Sequence, residues 1–393
     1  MSLRGDWNYP TTIKAGPGRV SELAAHCRAV GLAHPLVVTD PGFASLPFVG
    51  TMREALSKEG IPSGLFTDLR PNPVGKNVEA GVDAYRRGKH DGVIAIGGGS
   101  ALDVGKAIAL MSGQSRPLFD FEDVGDNWLR IDPDGIAPSI AIPTTAGTGS
   151  EVGRASVITD EAVKTKKIVF HPKMQPRLVI LDPELTYGLP PFLTAATGMD
   201  ALSHCLEAYS APGYHPLAAG IALEGMRLVR ESLVVAFREP TNTDARTRML
   251  TASSMGATAF QRGLGAMHAL AHPLGALHDA HHGALNAVLM PYVLVANRSA
   301  IGDRLAAAAR YLDLPNASFN GFLEWVLELR HTLGIPRTLA GLGVDETHVD
   351  RIGELAVADP SSGTNPIAFT AKEYEKIFRR ALEGRLGLEE SHR

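Results

Sequence analysis

From residue 18 to about residue 185, short apolar runs alternate with stretches of helical period. Residues 36–38, 64–66, 92–96, 139–142 and 178–181 are compact, largely β-branched or aliphatic runs, and each predicts a strand. Residues 19–30, 51–59, 77–87 and 101–111 carry apolar positions at helical spacing between them. Such alternation predicts a parallel sheet covered by helices on both faces. Two runs at 155–159 and 167–170 flank a charged turn and predict a β-hairpin. After Pro190-Pro191 the pattern changes. Helical period dominates residues 194–209, 217–237, 245–261, 284–297, 301–312, 319–333 and 371–385, and strand-like runs disappear. The fold class expected is an α/β, Rossmann-like dinucleotide-binding domain over residues 1–187. An all-α domain over residues 188–393 is expected to follow it.

Composition narrows the function without changing this picture. The 393 residues are 45% hydrophobic and 20% charged, with a net charge of −4, so neither nucleic acid nor an anionic membrane is an expected partner. Two cysteines, Cys27 and Cys205, exclude a thiolate-rich metal site and a disulfide framework. The polar N-terminus, MSLRGDWNYP, has no apolar leader, and no apolar run of about eighteen residues occurs. A cytoplasmic protein is the expectation.

Two loops in the first half have the chemistry to hold a dinucleotide. Gly97-Gly98-Gly99-Ser100 separates a strand from a helix, where backbone N–H groups and the helix dipole favour a phosphate. A third glycine at the usual spacing is absent, so the turn also reads as a simple tight connection. Asp103 and Lys106 follow on the first turns of the helix and read locally as solvent-facing. Asp40 ends a strand, where a carboxylate accepts from a ribose 2′-hydroxyl and repels a 2′-phosphate; it equally suits the turn before Pro41. Residues 143–151, PTTAGTGSE, form a loop of hydroxyls and glycines after another strand.

The second half supplies metal-ligand chemistry. Residues 263–283, GLGAMHALAHPLGALHDAHHG, hold five of the fourteen histidines: His268, His272, His278, His281 and His282. Leucines interleave them, so they belong to buried or half-buried helices. His268 and His272 are spaced i, i+4, as are Asp200 and His204, and each pair shares a helix face. His282 follows a Pro-Leu-Gly interruption. An oxygen and nitrogen donor set without sulfur suits Fe2+, Zn2+, Mn2+ or Co2+. Spacing alone leaves open which histidines coordinate, although adjacent His281 and His282 diverge by about 100° of helix.

Five motifs together resemble the iron-containing (group III) alcohol dehydrogenase family over nearly the whole chain. They are GGGSALDVGK at 97–106 (with Gly105 where alanine is more usual), PTTAGTGSE at 143–151, ATGMDALSHCLEAY at 196–209, GLGAMHALAHPLG at 263–275 and HHG at 281–283. The resemblance implies NAD(H) and Fe2+, with Zn2+ able to fit the same ligands, and catalysis in a cleft between the domains. It assigns the metal to Asp200, His204, His268 and His282, and gives His272 a substrate-side or proton-relay role. It assigns the cofactor to Asp40, Asn72, Gly97, Gly98, Gly99, Ser100, Asp103, Thr144, Thr145, Thr148 and Lys166. Lys164 and Lys167 lie one short alignment slip away. Arg154, Phe260, Arg262 and Ser361 would border the substrate. The implied activity is hydride transfer between nicotinamide C4 and a small primary alcohol or aldehyde, in a homodimer or larger assembly. The two arginines raise the alternative of a short anionic substrate of the 4-hydroxybutyrate or succinic semialdehyde type. A dehydroquinate-synthase-like lyase would need a basic phosphate pocket that the sequence does not display. A metal-free maleylacetate reductase would not need the full ligand set.

Overall fold

The structure is a computed structural model and describes Tyr9, residues 11–163 and residues 165–387. The N-terminal residues 1–8, read above as lacking a leader, and Lys164 lie outside the described residues. The chain separates into two compact units. A sheet unit comprises Tyr9–Thr145 and Gly149–Tyr187; a helical unit comprises Ala146–Thr148 and the chain from Gly188 onward.

The sheet unit contains β1 (Thr12–Ala15), α1 (Leu23–Val30), β2 (Leu36–Val38), α2 (Pro41–Ala44), α3 (Pro47–Lys58) and β3 (Gly64–Phe66). It continues through α4 (Gly75–Arg87), β4 (Val93–Gly97), α5 (Gly99–Met111), β5 (Ser139–Pro143), β6 (Ala155–Asp160), β7 (Thr165–Phe170) and β8 (Leu178–Leu181). Six strands form a parallel sheet in the order β1-β8-β5-β4-β2-β3. Ile94 pairs with Ile140 and Val38 with Ala95. Every residue of β2, β4, β5 and β8 is buried, as expected for strands covered on both faces. Their apolar side chains pack with Leu23, Cys27, Met52 and Leu56 of α1 and α3. The sequence order reverses between β2 and β4: β2 leads outward to β3, and β4 leads the other way to β5. In open parallel sheets the crevice at such a switch point is where ligands bind. Antiparallel β6 and β7 form the expected hairpin.

β1 was not anticipated. It is a four-residue edge strand, exposed at both ends, and its sequence TIKA has too little apolar content to stand out. Gly105 has a packing reason. A Cβ there would come within 2.5 Å of the Ala95 Cβ, so glycine lets α5 approach β4 closely.

The helical unit contains α6 (Pro191–Ser210), α7 (Pro216–Arg238), α8 (Thr243–Ala259), α9 (Ala266–His278), α10 (His282–Tyr311), α11 (Phe319–Thr332), α12 (Val349–Ala358) and α13 (Ala371–Glu383). Two expectations are corrected. Residues 284–297 and 301–312 form one helix, α10, which runs through Pro291 and past Asn297-Arg298 without a break. The Pro-Leu-Gly stretch does not interrupt α9 either; Pro273 lies inside it. A proline forfeits one N–H, and packing on both sides of these helices outweighs that local cost. By length and composition α10 could cross a membrane, yet 72% of its apolar window is buried within the protein. Leu285, Val288, Leu289 and Met290 instead pack against Ala195, Met199 and Leu202 of α6 in the unit's core. α12, also unanticipated, buries only Ile352, Gly353 and Ala356.

Candidate functional site

At the carboxyl ends of β2 and β4, the sheet unit brings together Asp40 and the Gly97–Gly99 turn. Gly97 has φ 145°, and a Cβ there would meet the Ala101 Cβ at 2.7 Å and the Asp40 Oδ2 at 3.3 Å. Glycine is therefore required by both backbone and neighbours. Gly98 is the N-cap of α5, and Ser100 and Asp103 follow in that helix. The Thr144 N–H donates to the Gly97 carbonyl at 2.9 Å, and the Thr145 side chain lies in van der Waals range of Gly98. Thus Asp40, Gly97, Gly98, Gly99, Thr144 and Thr145 converge at the switch point of the sheet. Asp40 also caps α2, accepting from the Phe43 N–H at 2.9 Å. Asn72, with φ 52°, precedes α4, and Lys166 lies in β7 opposite Thr159.

Asp103 and Lys106 are not solvent-facing as their local pattern suggested. The Asp103 carboxylate accepts from the Ser150 Oγ at 2.5 Å and the Val157 N–H at 3.0 Å. Lys106 is 2% exposed, 3.3 Å from Asp103, and donates to the Ala155 carbonyl. Burial pulls its pKa down, against the pull of Asp103. The pair fastens α5 to β6 and the loop before it.

In the helical unit, ligand atoms of Asp200, His204 and His268 lie within 4.8 Å of one another, and all three residues are buried. The His282 Nε2 is 3.8 Å from Asp200 Oδ1. α6 carries the first two residues one turn apart, α9 carries His268, and α10 carries His282 in its first turn. Gly283 allows this meeting: a Cβ there would come within 2.4 Å of the Ala196 carbonyl of α6. The Asn286 Nδ2 donates to Asp200 Oδ1 at 2.8 Å and is 3.1 Å from His268 Nε2 and 3.2 Å from His282 Nε2, so three atoms able to ligate a metal surround one small region. The Asn286 Oδ1 is buried with no hydrogen-bond partner among the described residues. One carboxylate and three imidazoles, converging in an apolar core, fit a divalent cation that takes oxygen and nitrogen ligands. Burial pushes the His204 imidazole down to about 4, so it is neutral at neutral pH, as ligation requires. Its Nδ1 faces the Gly147 carbonyl at 3.2 Å. Burial opposes charge on His268 too, but the adjoining Glu207 carboxylate outweighs burial and raises its pKa.

His272 stands beside these residues without joining them. Its ring stacks on His282 at 5.3 Å between centroids, and its Nδ1 is 2.8 Å from Asp359 Oδ2. Burial favours a protonated Asp359, and the nearby His272 overrides it, lowering its pKa. The Ser361 N–H donates to the other Asp359 oxygen at 2.9 Å. The Phe260 ring lies 5.4 Å from the His204 ring. Phe260 and Ser361 are therefore next to the cluster. Arg262 turns elsewhere, donating to the Tyr209 and Gly213 carbonyls at the end of α6. Arg154, in the sheet unit, lies over the Phe170 ring at 5.4 Å. His278 packs against His348, and His281 caps α10 by accepting from the Ala284 N–H at 3.4 Å. The sequence reading passed over Glu207, Asn286 and Asp359. Glu207 had a visible signal: a second carboxylate, after Asp200, among the largely apolar residues of α6, three positions after His204.

Comparison with known proteins gives the family. Residues 10–183 match the family described as iron-containing alcohol dehydrogenase, and residues 194–382 match the C-terminal domain of the same family. A 4-hydroxybutyrate dehydrogenase from Cupriavidus necator is 38% identical over 95% of this chain and 99% of its own length. Alcohol dehydrogenase 4 of Saccharomyces cerevisiae (strain YJM789) is 36% identical over 98% of this chain and all of its own. The solved structure of sulfoacetaldehyde reductase from Bifidobacterium kashiwanohense, in complex with NAD+, superposes with a TM-score of 0.88 at 30% identity, covering 97% of this chain and 99% of that one. With both halves matched and relatives aligned end to end, the chain belongs to the iron-containing alcohol dehydrogenase family.

Proposed function

We infer that the protein is an NAD(H)- and Fe2+-dependent alcohol dehydrogenase that acts on a small primary alcohol or the matching aldehyde. The observation that carries this reading is the buried convergence of Asp200, His204 and His268. These three and His282 would hold the cation, and Zn2+ would fit the same donors. Residues 1–187 are assigned to the dinucleotide and residues 188–393 to the metal and catalysis. When bound, the cation supplies Lewis acidity to the substrate oxygen and the nicotinamide exchanges the hydride. The chain's own residues do the rest. Gly97, Gly98 and Gly99 present backbone N–H groups at the start of α5, and Asp40 disfavours a 2′-phosphate. Asn72, Ser100, Asp103, Thr144, Thr145, Thr148 and Lys166 complete the proposed cofactor set. His272, aligned by Asp359, holds or passes the proton that accompanies hydride transfer. Phe260 and Ser361 border the substrate.

A neutral substrate is favoured because the Arg262 guanidinium is already engaged by backbone carbonyls. The anionic reading draws support from two relatives, named for 4-hydroxybutyrate and sulfoacetaldehyde. A complete donor set speaks against a metal-free maleylacetate reductase, and cofactor reduction by a simple alcohol would exclude the lyase reading. The test is kcat/KM, on Fe2+- and Zn2+-reconstituted protein, for succinic semialdehyde against butanal. Equal values, or a preference for butanal, support the neutral reading; a tenfold preference for the semialdehyde overturns it. A cytoplasmic homodimer or larger homo-oligomer is part of the same reading, and light scattering measures the assembly.

A further inference from the structure

Glu207 lies on α6, three residues beyond His204, and is 4% exposed. A carboxylate at that depth persists only where its lone pairs are taken up. Here Oε1 accepts from the Met267 N–H at 2.7 Å, and Oε2 accepts from the Gly265 N–H at 2.9 Å and from His268 Nδ1 at 2.7 Å. Two of these bonds satisfy the start of α9, whose N-cap, Gly265, has no side chain to do so. The third reaches a proposed metal ligand.

We propose that Glu207 is a positioning residue: it fixes the tautomer and ring plane of His268 and balances the charge of the cation held there. The inference rests on the metal reading above. With the Nδ1–H committed to a carboxylate, the lone pair is on Nε2, the atom 4.0 Å from Asp200 Oδ1 and, like His282 Nε2, beside the Asn286 Nδ2. His204 is held differently, by the neutral Gly147 carbonyl. The charges also close. A dication bound by three neutral imidazoles and Asp200 leaves one positive charge among Asp200, His204 and His268, which are buried, and His282, which is partly exposed. Glu207, joined to the site through one imidazole, supplies the second negative charge. Removing it weakens a dication more than it weakens the fold around it.

The test uses the full chain loaded with Co2+, whose d–d absorption reports ligand geometry. Glu207→Gln keeps the size of the side chain but not its charge or its acceptor capacity. It should release metal to a chelator about 10- to 100-fold faster than wild type, with a changed Co2+ spectrum. Glu207→Asp keeps the charge on a shorter arm, remains informative if the Gln variant does not fold, and should fall between the two. Asn365→Ala is the structural control. Asn365 accepts from the Ala266 N–H at the same helix start but does not touch His268. It should leave metal release and spectrum as in wild type while lowering the melting temperature. Wild-type release from Glu207→Gln, or equal acceleration in Asn365→Ala, overturns the proposal and leaves the metal reading intact. A wild-type chain that takes up no metal overturns both.

Discussion

His272 and Asp200 both adjoin His282, and different substitutions separate their roles. His272→Ala removes the imidazole paired with Asp359 but no proposed ligand. It should keep metal stoichiometry and lower kcat by about 100-fold, the lower end for general acid–base groups. Elemental analysis and steady-state kinetics on the same sample check both halves. Asp200→Asn should do the reverse, with metal lost first and activity lost because of it. At this scale the sequence was only partly legible. The i, i+4 spacings gave Asp200, His204, His268 and His272 as pairs, but spacing cannot say which ring turns toward which centre. That is decided by partners distant in sequence, such as Asp359 for His272 and Glu207 for His268. Arg262 illustrates the same limit. The family resemblance puts it at the border of the substrate, and its guanidinium meets the carbonyls of Tyr209 and Gly213, which the sequence could not show.

Among elements, the first turn of α10 carries the tightest constraint. Gly283→Ala would drive a methyl into the Ala196 carbonyl, and the helix must shift to accommodate it. Overpacking of this kind costs about 1–3 kcal/mol. Denaturant unfolding should show that loss, and metal release should accelerate because His282 moves with the helix. The strands of the sheet unit were legible because their apolar runs are unbroken, whereas β1 was not, being short and half polar at the sheet edge. The extent of α10 was hidden for another reason. The helical period reads as breaking between residues 297 and 301, yet Asn297 is buried and bonded to Asn365 within a continuous helix.

For the whole molecule, ligand and fold are thermodynamically linked. Metal at 100 times its dissociation constant stabilises the native state by about 2.7 kcal/mol. Chelation should therefore lower the melting transition of the helical unit and leave that of the sheet unit in place, which calorimetry with and without chelator would resolve. The sheet unit has its own test in Asp40→Ser. Serine retains the N-cap of α2 but not the charge, so the NADP+ to NAD+ ratio of kcat/KM should rise about tenfold without loss of stability.

The turn between α9 and α10 has one more consequence. Asp279 is exposed there in a left-handed conformation, φ 50°, between His268 on one helix and His282 on the next. Cys27 and Cys205 are both free and buried, and they belong to different units. No disulfide ties these helices, so the proposed coordination by His268 and His282 would act as a reversible cross-link, closing the hairpin on both sides of its apex. A protease should cut the apo protein at residues 279–281 and spare the loaded one, which makes nicking at this turn a direct gauge of occupancy.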